Sequence, residues 1–281
     1  PVKGKIWGSR GSIASPGQDT ERYGGNTSCV ELRPPGCDVV ILDAGTGIRE
    51  LGVRLVREGT ERMFLLLTHL HVDHLEGLGM FEPIWRKQTE LHIWGPASPV
   101  ASLEQRIATY FSPPLFPVHL SEVPASIEYH DASESEWQID GARFSSNAII
   151  HPGPTVGYRI ESKGRVLAYL TDHEPALGAD LDRDPSEWIS GFAIARGADL
   201  LIHDCQFTPD EYEHRLGWGH STTEQVARFA EKTEVDRLLL FHHDPMHSDE
   251  QLDQMREDVV ARWGVDGDRC TAAAEGAEIV V

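Results

Sequence analysis

Short β-rich runs alternate with amphipathic helical stretches along all 281 residues. That interleaving confines the chain to an α/β architecture. Lys3–Trp7, Ser28–Leu32 and Val39–Leu42 read as strands, followed by a helix from Ile48 to about Arg57. Phe64–Thr68 is a short apolar run, which predicts a strand buried on both faces. Leu91–Trp94 reads as a strand, and Pro99–Tyr110 as a helix with Pro99 in its first turn. Further strands are predicted over Ile127–Tyr129, Arg143–Ile150, Thr155–Glu161, Val166–Leu170, Leu200–His203, Leu238–Phe241 and Ile279–Val281. Helices are predicted over Ser186–Arg196, Ser221–Glu231 and Asp249–Trp263, with Ser221 and Glu224 as a capping box. No repeat, low-complexity tract or linker interrupts this order, so one domain is expected over residues 1–281.

The densest chemistry follows the apolar run. Thr68-His-Leu-His-Val-Asp-His74 carries His69, His71, Asp73 and His74, with Gly77 just beyond. Imidazole and carboxylate together suit zinc, iron or manganese. His69 and His71, two apart in extended chain, project the same way and can share an ion. Asp73 and His74 then turn toward a second one. A surface loop rich in histidine by chance is the bland alternative, and the buried strand directly before the motif argues against it.

Four other places put a possible ligand just past a β-like run. They are His151 after Ile149-Ile150, Asp172 after Ala168–Thr171, His220 after Trp218-Gly219, and the pair His242-His243 after Leu238–Phe241. Each alone is equally a structural histidine or a turn aspartate. Their shared placement raises them, because sites in α/β sheets gather at the carboxyl ends of strands.

With THLHVDHLEG, and with His151, Asp172 and His242 in order, the sequence resembles the metallo-β-lactamase-fold hydrolases over essentially its whole length. The resemblance implies an αβ/βα four-layer sandwich, two mixed β-sheets face to face with helices outside. It implies two divalent metal ions, zinc first and manganese or iron as alternatives. His69, His71 and His151 would hold one, Asp73, His74 and His242 the other, and Asp172 would bridge them. Asp73 thereby also enters the catalytic set. A hydroxide between the ions is the nucleophile this arrangement implies. Asp43, in LDAGTG, matches an aspartate that orients a ligand histidine, or else only stabilises its turn. His242 rather than His243 is the expected ligand, because it directly follows the apolar run.

Asp199-Leu-Leu-Ile-His203-Asp204 and Gly219-His220-Ser221 look like the phosphodiesterase branch, which contains the tRNA 3′-processing endonuclease RNase Z. There an acidic residue pairs with a histidine for phosphate binding and protonation of the leaving alcohol. Here the motif reads His-Asp-Cys-Gln, so Asp204 is one methylene shorter than the family's glutamate. A carboxylate beside an imidazole stabilises imidazolium and supplies a general acid. His220 and Asp204 are therefore the expected catalytic pair.

Charge narrows the expected partners. The formal net charge is −20, and broad capture of nucleic acid needs the opposite sign. RNase Z proteins grip tRNA with a basic, glycine-rich arm. Only HPGPTVGYRIESKGRVLAYLTD separates His151 from Asp172, enough for two strands. The expectation is a small phosphodiester, such as a cyclic nucleotide or short dinucleotide, and no long nucleic acid. The proline-rich stretch Ser112–Pro124, with Phe111 and Phe116, is a candidate lid, surface padding or homodimer contact. Four cysteines form no CxxC pair, which fits free thiols. PVKGKIWGSRG lacks the apolar stretch of a signal peptide, and no apolar run reaches about 18 residues. A cytoplasmic protein without membrane contact is expected.

Two other readings compete. A lactonase or thioesterase of the same fold shares the ligands and does not call for the Asp204/His220 pair. A metal-bearing sensor without turnover is the third reading, and a secreted β-lactamase fits less well.

Overall fold

The computed structural model describes residues 1–281. Two seven-stranded mixed sheets face each other. The first contains β1 (Lys3–Gly8), β2 (Cys29–Arg33), β3 (Val39–Leu42), β4 (Arg62–Leu66), β5 (Glu90–Gly95) and β6 (Ser126–Asp131). The second contains β7 (Glu136–Ile139), β8 (Ala142–Ala148), β9 (Val156–Ser162), β10 (Arg165–Leu170), β11 (Leu200–Asp204), β12 (Arg237–Phe241) and β13 (Cys270–Ala272). The last strand, β14 (Glu278–Val280), crosses back to pair antiparallel with β1. Strand orders are β14-β1-β2-β3-β4-β5-β6 and β13-β12-β11-β10-β9-β8-β7. In each sheet antiparallel pairs give way to three parallel ones, β3-β4-β5-β6 and β10-β11-β12-β13.

The alternation of side chains along the strands explains the layering. In β4, Phe64 and Leu66 join the layer between the sheets, while Met63 and Leu65 point outward. All four are buried, so the strand reads as continuously apolar. The inner layer joins Val40, Leu42, Phe64 and Leu66 of the first sheet to Tyr158, Leu167, Tyr169 and Phe241 of the second. Outside the first sheet lie α1 (Ile48–Glu58) and α2 (Leu103–Tyr110). Outside the second lie α3 (Phe192–Ala195), α5 (Thr223–Lys232) and α6 (Asp249–Trp263); α4 (Pro209–Tyr212) is one short turn. The result is the four-layer αβ/βα sandwich.

Element boundaries differ from the sequence reading where capping chemistry was misassigned. Helix α2 begins at Leu103, not Pro99, because Ser102 and Gln105 form a reciprocal capping box. Helix α5 is capped one residue later than expected, by Thr222 with Gln225. The helix expected over Ser186–Arg196 is a short turn at Ser186–Trp188 and then α3, broken by left-handed Gly191. Of the three readings of the proline-rich stretch, a lid carried by Phe111 and Phe116 does not fit: both rings are buried under the outer face of the first sheet with Trp85 against them. No disulfide links the four cysteines. No helix is long and apolar enough to cross a membrane.

Candidate metal centre

Strand direction gathers the candidate residues at one edge. Asp43 follows β3, His69 follows β4, and His151 follows β8. Asp172 follows β10, Asp204 ends β11, and His242 follows β12. Parallel pairing of β10, β11 and β12 sets the last three side by side at their carboxyl ends.

All seven expected ligands converge there in two groups. Asp172 Oδ2 lies 3.6 Å from His69 Nε2 and 3.7 Å from His151 Nε2. His71 Nδ1 is 3.1 Å from His151 Nε2. On the other side, Asp172 Oδ1 lies 3.0 Å from His74 Nε2 and 3.2 Å from His242 Nε2. Asp73 Oδ2 is 3.3 Å from His74 Nε2 and 3.1 Å from His242 Nε2. A tetrahedral zinc with ligands at about 2.0–2.1 Å spaces its ligand atoms about 3.4 Å apart. The observed spacings match that in both groups. His69 Nε2 is buried and has no hydrogen-bond partner, a cost that a bound cation removes. His74 Nε2 and His242 Nε2 face each other at 3.3 Å, as two donors to one ion would. The residues present therefore fit two divalent cations, with one Asp172 oxygen turned to each.

Neighbouring groups fix the ring orientations. Asp43 Oδ2 accepts from His74 Nδ1 at 2.9 Å and from the Tyr169 hydroxyl at 2.9 Å, reaching across the two sheets. Its Oδ1 accepts the Thr68 amide at 2.8 Å. His151 Nδ1 donates to the Gly219 carbonyl at 3.0 Å. The bonds of His74 and His151 each commit Nδ1 and leave Nε2 for the cluster. His243 instead points away, its Nε2 donating to the Ala273 carbonyl at 2.9 Å. Burial pushes Asp73 and Asp172 up, but the facing imidazoles of His74 and His242 more than offset this and hold both well below the usual carboxylate range.

The pair Asp204 and His220 sits against this cluster. His220 Nδ1 donates to Asp204 Oδ2 at 2.7 Å, so the shorter carboxylate does reach. Asp204 Oδ1 accepts the Ser221 amide at 2.8 Å. The His220 ring stacks on His242 at 5.1 Å and lies edge-on to Phe207 at 5.6 Å. Burial lowers the imidazole, yet the Asp204 carboxylate, with Asp172 and Asp73 beyond it, outweighs burial and raises its pKa. His220 precedes the α5 cap rather than starting the helix, and its Nε2 makes no hydrogen bond within the protein.

Several supports carry no sequence signal. Asp43, Asp172 and His242 all have left-handed backbone, with φ of 59°, 52° and 58°, a strained state that clusters at functional sites. The loop Ser9–Ser12 closes over the second group. The Ser12 amide donates to Asp73 Oδ2 at 2.7 Å. A side chain on Gly11 would overlap the His242 ring, so only glycine allows that approach. Buried Arg10 anchors the loop on the carbonyls of Asp244 and His247. Glu174 is buried two residues past Asp172 and accepts the amides of Gly217 at 2.8 Å and Gly219 at 2.7 Å.

Residues 38–243 match the Beta-lactamase superfamily domain. The chain belongs to that superfamily. Among curated relatives, a Ribonuclease Z from Thermococcus sibiricus is 27% identical over 265 residues, covering 82% of this chain and 84% of the relative. Solved structures with the same fold include a diphosphatase of the PhnP family, at TM-score 0.70 and 19% identity over 100% of this chain and 98% of the other. Human short-form tRNase Z follows, at TM-score 0.67 and 19% identity over 99% and 98%. These relatives correct the expectation that long nucleic acid is excluded. Net charge sums the whole surface, whereas a phosphate meets the local field of the site it enters.

Proposed function

We propose that the chain is a metal-dependent phosphodiester hydrolase. The observation that carries this is the Asp204–His220 pair, held at 2.7 Å beside the seven-residue cluster. Hydrolysis of a carboxylic ester or thioester calls for no such acid next to the ligands. The relative named Ribonuclease Z supports the same class.

In this reading His69, His71 and His151 hold one cation and Asp73, His74 and His242 the other, with Asp172 shared. Two bound cations supply Lewis acidity to the phosphoryl group and lower the pKa of the attacking water. Everything else falls to the chain. Asp204 keeps the His220 proton on Nδ1 and stabilises the charged ring, leaving Nε2–H to bind a phosphoryl oxygen and then protonate the departing alkoxide. Asp43 and the Gly219 carbonyl hold the ligand rings. Ser12 steadies Asp73.

Within this class the substrates proposed are small phosphodiesters, such as a cyclic nucleotide or a short dinucleotide, alongside RNA. A cavity of about 350 Å³ opens at His69 and His71, lined also by Ser98, Arg106, Thr109 and Pro152. Arg106 brings a cation to it, and zinc is the proposed metal. A panel tests the reading on zinc-loaded protein: a chromogenic phosphodiester, a cyclic nucleotide, a dinucleotide, a tRNA precursor, a lactone and a thioester. Turnover confined to the phosphodiesters and RNA is expected. Turnover of the lactone or thioester alone would overturn it.

A further inference from the structure

A second cluster of ligand types lies on β5 and β6, outside the centre described above. The two strands pair in parallel, with His92 opposite Glu128 and Trp94 opposite His130. Alternation puts Glu90, His92, Glu128 and His130 on one face. Strand β6 is the edge of its sheet, so this face opens to solvent at one side.

We propose that His92, Glu128 and His130 form a separate binding site for a divalent transition metal. His92 Nδ1 lies 3.1 Å from His130 Nε2 and 3.4 Å from Glu128 Oε2, and Glu128 Oε2 lies 4.0 Å from His130 Nε2. Two sides of that triangle are close to the spacing of about 3.4 Å around a tetrahedral ion, and the third needs only a small swing of the exposed Glu128 side chain. The tautomer of His92 is already set. Its Nε2–H donates to Glu90 Oε1 at 2.8 Å, which leaves the Nδ1 lone pair aimed into the triangle. A ligand histidine whose other nitrogen is tied to a carboxylate is the usual outer arrangement at metal sites.

Stacking holds the rings before any ion arrives. His130 stacks on Trp94 with centroids 4.1 Å apart, and His92 packs at a tilt against Phe64 at 5.3 Å. The two rings then have little side-chain entropy left to lose on binding. The His92 side chain is 15% exposed and that of Glu128 61%, so water or an external ligand completes the coordination. Two imidazoles and one carboxylate favour zinc, cobalt, nickel or copper over magnesium or calcium. The bound ion would tie the edge strand β6 to β5.

Calorimetric titration of the zinc-loaded protein with Ni²⁺ tests the site, with metal content measured after desalting. The expected result is one equivalent of Ni²⁺ beyond the zinc already present. His92→Gln and His130→Gln should each lose that equivalent while phosphodiester turnover stays unchanged, which also shows that the variants fold. Glu90→Gln should weaken binding at least several-fold without abolishing it. Adding His92→Gln to Asp172→Ala should remove one further equivalent of Ni²⁺ relative to Asp172→Ala alone, which separates this site from the main centre. Equal Ni²⁺ uptake by the parent and both histidine variants, or no extra uptake by the parent, would overturn the proposal.

Discussion

Asp172 has one oxygen directed at His69 and His151 and the other at His74 and His242. No other carboxylate faces both groups, so Asp172→Ala is expected to lower metal content and reduce turnover to background. Metal analysis and a chromogenic phosphodiester on one preparation check this; full loading and activity would refute a shared ligand. His220→Ala differs, because the ring is held by Asp204 and stacks on a ligand rather than belonging to either ligand group. That variant should keep its metals yet lose about 10²–10⁴-fold in turnover of an alkyl phosphodiester. With nitrophenolate as leaving group the loss should shrink, since that product needs less protonation. Asp43→Asn keeps the volume but loses the charge that accepts from His74 and Tyr169. Chelator competition should show metal affinity weakened by about 10–100-fold.

The functional elements are the turns past the strands. Glu174 holds the loop that carries both the Gly219 carbonyl and His220, accepting two of its amides and the Tyr212 hydroxyl. Glu174→Gln places an amide nitrogen against those donors and leaves at least one unpaired. The expected cost is about 1–3 kcal/mol of stability, read as a lower denaturant midpoint, together with a fall in kcat exceeding any change in KM. Unchanged midpoint and kcat would show that the loop is held elsewhere. Continuous apolar runs rather than alternation located strands such as β4 and β12, because both of their faces are buried. Strands β7 and β13 escaped notice. Glu136-Trp-Gln-Ile139 is a half-exposed edge, and Cys270-Thr-Ala272 spans three residues at the other edge. Short edge strands carry too few buried positions to show a period.

Across the whole molecule, the centre joins the carboxyl ends of both sheets. His69, His71, Asp73 and His74 belong to the first; His151, Asp172 and His242 belong to the second. Cations held there bind the folded chain and not the unfolded one, so they should stabilise it by mass action, about 4 kcal/mol at a free concentration a thousandfold above Kd. Thermal melts with EDTA should fall well below melts with added zinc, and readdition should restore them. Superimposable melts would argue that both sheets close without the ions. The charge of −20 belongs to this scale as well. It governs solubility and long-range encounter, not the local field at the centre, which is why it could not exclude a long nucleic acid.

Four candidate ligands were legible because they fall within six residues behind a buried strand, where local spacing alone puts them on one loop. Asp172 and the pair at His242-His243 were legible as residues past apolar runs, and the family resemblance gave Asp172 and His242 their expected roles. The structure adds the physical reason for expecting His242 over His243: a left-handed turn that sends the His242 ring into the cluster and leaves the His243 ring on Ala273. Asp43 was open between turn and centre until Tyr169 and His74 met it from opposite sheets. The loop at Gly11, the amide of Ser12, the carbonyl of Gly219 and the buried Glu174 were invisible. They act through backbone groups that every residue possesses, or across separations that no local pattern encodes. Periodicity and spacing report which face a side chain takes; only packing of the two sheets decides which faces meet.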